Sequence, residues 1–89
     1  MLYDQTNDPI YLLYQGNCLL AMGKFEESIP VLEKAAGQNS DLSIRAKWFL
    51  ALAHLQTGNL SETNSLLQEI VEAKDAYSQK ATSLLEELE

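Results

Sequence analysis

Two stretches of the chain carry the same alternation of apolar and polar positions. Tyr14 to Ala36, YQGNCLLAMGKFEESIPVLEKAA, and Leu50 to Ala73, LALAHLQTGNLSETNSLLQEIVEA, each hold two amphipathic segments at helical spacing, joined by a short turn containing glycine. The turn glycines Gly23 and Gly58 stand 35 residues apart. Each stretch therefore predicts one helical hairpin, and the rest of the chain caps or connects the two.

Met1 to Asn7 shows no periodicity and reads as a loose arm carrying Leu2 and Tyr3. Asp8-Pro9 then opens the first helix, because aspartate is a good N-cap and proline suits the first helical position, where its missing N–H is no loss. Ile10, Leu13, Asn17 and Leu20 share one side of it, while Leu12, Gly16, Leu19 and Gly23 share another, so more than one neighbour should cover it. The second helix is expected from about Phe25 to Ala36, with Phe25, Ile29, Leu32 and Ala36 inward and Glu26, Glu27, Glu33 and Lys34 outward. Pro30 lies one turn in, where a slight bend is expected and a break is not. Gly37 with Gln38 and Asn39 supplies the stop.

Ser40 or Asp41 is the expected cap of a third helix running to about Thr57, with Ile44, Trp48, Ala51 and Leu55 as its stripe and Leu50, Ala53 and His54 widening it. A fourth helix, about Leu60 to Lys74, should bury Leu60, Leu67, Ile70 and Val71, its start weakened by polar Ser61, Thr63 and Asn64. A fifth, Tyr77 to Leu88, presents Tyr77, Ala81, Leu84, Leu85 and Leu88 on one face and glutamates on the other, the profile of a helix that closes a stack. The expected divisions are an arm over 1–8, hairpins over 9–39 and 40–75, and a capping helix over 76–89.

Self-similarity near 34 residues with a helix-turn-helix in each copy resembles the tetratricopeptide repeat family, whose pattern places Trp, Leu-Gly and Tyr on the first helix and Ala, an aromatic and Pro later. In the first copy these positions hold Leu12, Gln15-Gly16, Leu19, Ser28, Leu32 and Ser40; in the second they hold Lys47, Leu50-Ala51, His54, Thr63, Leu67 and Asp75. Gly16 and Ala51 are small where a partner helix must cross closely. Lys47, Thr63 and the missing closing prolines depart from the pattern and loosen the second copy. The resemblance covers about Asp8 to Asp75, and the fifth helix resembles the family's solvating helix. It implies an all-α, right-handed superhelical stack of antiparallel hairpins with five helices.

The resemblance also implies a concave groove lined by the first helices of successive repeats. That places Leu13, Asn17 and Leu20 beside Arg45, Trp48, Leu52 and Leu55 as the partner-binding residues. Trp48 falls one residue later than the family's core tryptophan, which leaves both the groove and the core open to it; a groove-facing Trp beside Arg is a pair enriched at binding hot spots. Members that clamp a C-terminal carboxylate use several Lys, Arg and Asn side chains, of which only Asn17 and Arg45 match here. Leu13, Tyr14 and Phe49 stand where amide or basic groups would be wanted, so the groove suits a hydrophobic helix or extended segment, the chain's own Leu2-Tyr3 arm included.

Composition narrows the partners. Hydrophobic residues make up 46% and charged residues 21%, a balance that folds, although 89 residues allow only a thin core. Thirteen acidic against six basic residues give a net charge of −7, which repels phosphate backbones and anionic lipid, so neither nucleic acid nor membrane insertion by this segment is expected. Cys18 is the only cysteine and no signal or spanning segment is evident, which fits a soluble segment, cytoplasmic or periplasmic.

Nothing in the chain reads as a reaction centre. His54, the only histidine, has no Cys or carboxylate at metal-ligand spacing and reads as a packed core residue; Cys18 reads as a small buried hydrophobe. Glu26-Glu27 and Glu86-Glu87 are adjacent on helices, so their side chains diverge by about 100° and stay solvated. No metal or cofactor is expected. The leading expectation is a non-catalytic module that binds a protein or peptide partner through the groove. The other is a structural or oligomerisation segment of a larger membrane-attached or regulatory protein with no separate peptide ligand. Because about three repeats are needed for stability and two with a cap are found, the chain should be part of something larger or a homo-oligomer.

Overall fold

The computed structural model describes residues 8–37, 42–74 and 76–88, and the expected arm and the expected caps Ser40 and Asp41 lie outside them. The described residues form five helices and no strand: α1 (Pro9–Ala21), α2 (Phe25–Ala36), α3 (Ser43–Gln56), α4 (Leu60–Ala73) and α5 (Ser78–Leu88). Each packs mainly on its neighbours in sequence, and α1 also touches α3. This is a row of antiparallel hairpins, elongated at 45 × 26 × 17 Å.

Local chemistry sets the ends. The Asp8 carboxylate accepts the Ile10 N–H at 2.9 Å, with Pro9 at the first helical position, as the sequence predicts. At the end of α1, Gly23 takes φ +80°, its N–H donates to the Leu20 carbonyl at 3.0 Å, and the Lys24 N–H reaches back to the Leu19 carbonyl at 2.8 Å. Thirty-five residues later Gly58 takes φ +82°, with Gly58 N–H to Leu55 O at 3.2 Å and Asn59 N–H to His54 O at 2.8 Å. Both are Schellman closures, in which a residue in the left-handed region satisfies the last carbonyls of the helix. The repeat seen in the letters is thus a repeat of hydrogen bonds. α2 continues unbroken through Pro30, and α4 ends at Ala73, one residue earlier than expected, because Lys74 takes the left-handed φ of 54°.

The two hairpins also close at equivalent points. Gly16 of α1 faces Leu32 of α2, and a Cβ added at Gly16 would lie 2.6 Å from Leu32 Cγ. Thirty-five residues on, Ala51 and Leu67 are both fully buried and share one core cluster. Leu12, Leu13, Leu32, Ala35, Ala46, Leu50 and Ala53 form the first cluster, and Ala51, Leu67, Ile70 and Ala81 the second. Helix α3 contributes to both, which explains why it is apolar on several sides.

The inward faces of α2 and α4 differ from the expectation in the same way. In α2 the buried row is Ser28, Leu32 and Ala35, with Phe25, Ile29 and Ala36 only half-buried. In α4 it is Thr63, Leu67 and Ile70, while Leu60 is 51% exposed and Val71 half-buried. Polar letters hid these positions. The Ser28 hydroxyl donates to the Phe25 carbonyl at 2.6 Å and the Thr63 hydroxyl to the Asn59 carbonyl at 2.9 Å, so each presents its neighbours with a small, satisfied surface. Thr63 is therefore a tight contact and not the weak point that the sequence pattern suggests.

Candidate protein-interaction groove

Because α1 and α3 lie side by side as the first helices of their hairpins, the side chains on their common open side form a shallow groove. Two depressions of about 310 and 280 Å³ run along it. Leu13 and Asn17 of α1 face Arg45 and Phe49 of α3 in the first, with Ile10, Tyr14 and Tyr77 around them. Asn17 and Leu20 face Phe49 and Leu52 in the second, which ends at Ala21, Phe25 and Gln56. Asn17 and Phe49 line both, so the depressions adjoin at these two side chains. Their size is at or below the bottom of the range of small-molecule sites.

Five of the seven expected site residues meet here: Leu13, Asn17, Leu20, Arg45 and Leu52. Trp48 and Leu55 line neither depression. Trp48 is half-buried, its ring 5.9 Å from that of Tyr77 at an interplanar angle of 37°, and it packs against the cluster of Ala51, Leu67, Ile70 and Ala81. One helical step separates Trp48 from Phe49, and that turn of about 100° carries the indole away from α1 and toward α5. Leu55, seven positions after Trp48, follows it out of the groove.

Phe49, not among the expected site residues, sits in the middle of the floor. Its signal was present: Arg45, Phe49, Leu52 and Gln56 are spaced four, three and four residues apart, one stripe of α3. Arg45 is exposed and makes no ion pair with another described residue, so its guanidinium charge stands at the Tyr77 end of an apolar floor, where Lys80 Nζ also lies 5.7 Å from the Tyr77 ring centroid. Lys47, which stands where the repeat pattern has tryptophan, instead reaches Glu69 of α4 at 3.0 Å.

The residues with reactive side chains occupy structural places. His54 is 6% exposed, and its Nδ1 lies 3.3 Å from the Asn59 side-chain amide, which donates to it when the ring proton is on Nε2. The Thr57 hydroxyl donates to the His54 carbonyl at 3.0 Å, so the histidine and its turn hold each other. Cys18 is half-buried, more open than a core position, and Glu26, Glu27, Glu86 and Glu87 are exposed. Among the described residues no group of His, Cys, Asp or Glu could hold a metal ion, and no helix is long and apolar enough to cross a membrane.

Repeated hairpins with matching turns and matching close contacts define a helical-repeat protein. The tetratricopeptide repeat family model matches residues 19–88, most of the chain, and the chain belongs to that family. The match begins in the last turn of α1 and runs through α5. Comparison with curated proteins and with solved structures gives no match. Tetratricopeptide repeats are in general protein-interaction modules.

Proposed function

We propose that this chain is a non-catalytic interaction module that binds an apolar peptide segment or partner helix in the groove between α1 and α3. The observation that carries this reading is the adjacency of the two depressions: Leu13 and Leu20 from one repeat and Phe49 and Leu52 from the next line mainly apolar hollows that are open to solvent and meet at Asn17 and Phe49. Apolar side chains at alternate or helical spacing fill such hollows, and Asn17 and Arg45 supply the polar contacts that fix direction. The net charge of −7 favours a partner with basic flanks.

The reading is tested by selecting peptides from a random display library on the full chain and measuring their affinity for variants. Phe49→Ser and Arg45→Glu are expected to weaken the selected peptides by ~10-fold or more, the loss typical of a central contact. Peptides that bind both variants as tightly as the original chain place the binding elsewhere, and the groove loses its role.

A further inference from the structure

We propose that the outer face of α1, which shares only Tyr14 with the rim of the groove, pairs with the same face of a second copy of the chain about a two-fold axis. Tyr11, Tyr14, Cys18 and Met22 follow one another at spacings of three, four and four residues, a single stripe along α1. Tyr11 is 41%, Tyr14 69% and Met22 61% exposed, and these three belong to a set of only five large hydrophobic side chains exposed among the described residues. Isolated exposed apolar residues are ordinary, but a stripe of them marks a contact.

The repeat says what kind of contact. Thirty-five residues later the stripe becomes Ala46, Phe49 and Ala53 of α3, with exposed Thr57 following it, and there Ala46 and Ala53 are fully buried in the cluster that α3 shares with α1 and α2. The stripe on α1 is therefore a helix-packing face, and the described residues bring nothing onto it. Charge points to a second copy. Pro9–Ala21 holds no charged residue, whereas each of the other four helices carries at least two, in a chain of net charge −7. Two α1 faces therefore meet without setting like charges against each other, in chains whose net charge otherwise opposes association.

Geometry then selects the two-fold arrangement. At the far end of the row α5 turns Ala81, Leu84, Leu85 and Leu88 onto the second cluster and leaves Lys80 and Glu87 among its exposed residues. A head-to-tail array would have to press the α1 stripe onto that charged face, whereas two α1 stripes cover each other in one closed pair. A single face of a helix about 20 Å long is small for a protein interface, so the pair is weak and concentration-dependent.

Sedimentation equilibrium of the full chain over roughly 5–500 μM, the range that brackets weak reversible dimers, is the test. The weight-average mass is expected to climb from the 10.0 kDa monomer toward twice that value and stop there. Tyr11→Ser with Met22→Ser, neither of which lines the groove, should raise the dissociation constant at least ~10-fold, with helical circular dichroism unchanged. Leu60→Ser, at the exposed apolar residue of α4, should leave it alone. Should the double variant lose helicity, Tyr11→Lys gives the same reading through like charges across the axis. A monomer throughout the range, growth past the dimer, or a dimer indifferent to the α1 substitutions overturns the proposal. Tyr11 and Met22 line neither depression, so peptide binding by Phe49 and Arg45, measured separately below the dimer concentration, is expected to survive the double variant.

Discussion

Gly16 of α1 lies so close to Leu32 of α2 that the smallest side chain could not be added without moving the leucine, and Leu32 is itself fully buried. The first hairpin closes at this point. Gly16→Ala gains about 1 kcal/mol of helix propensity, while overpacking a filled contact costs about 1–3 kcal/mol. The expected outcome in urea unfolding is a net loss near 1 kcal/mol, which decides that packing outweighs propensity. Combining Gly16→Ala with Leu32→Ala should cost less than the two single losses added, because the shortened side chain vacates the space. A stabilised Gly16→Ala variant would show that the helices part without penalty.

Gly23 and Gly58 make the opposite case, since a Cβ at either would meet nothing within 4 Å. Their cost on substitution comes from backbone conformation alone, at φ +80° and +82°. Gly23→Ala and Gly58→Ala should each lose about 1–2 kcal/mol, the penalty of a non-glycine residue in the left-handed region. Because the two turns share their hydrogen bonds, the losses should agree within about 0.5 kcal/mol. A large difference in melts of the two variants would mean that the closures are not equivalent.

Trp48 and Tyr77 join α3 to the capping helix, and the separation of Trp48 from the groove can be measured. Trp48→Ala removes a half-buried indole from the second cluster and should destabilise the chain by about 2–3 kcal/mol, below the usual 3–5 for a fully buried aromatic. It should leave the affinity of groove-selected peptides within ~2-fold, since the indole lines neither depression. As the only tryptophan, Trp48 also reports on α5 by fluorescence, and Tyr77→Ala should shift its emission to the red. Loss of peptide binding on Trp48→Ala, at unchanged stability, would return this residue to the groove.

The letters alone determined the helical hairpins, their glycine turns, the family and the close approach at Gly16, because each rests on local rules: stripe spacing, the left-handed glycine and the absence of a side chain. They placed five of the seven groove residues, since positions three and four apart on a helix share a face whatever surrounds it. Only the tertiary structure decided the rest. Ser28 and Thr63 could be read as buried only once their hydroxyls were seen donating to carbonyls one turn back, at Phe25 and Asn59. Trp48 and Phe49 are neighbours in sequence with equal claims to the groove, and the choice between them is a rotation of α3 about its axis. That rotation is set by what α1, α2, α4 and α5 jointly cover, and no stretch of sequence shorter than the whole stack contains it.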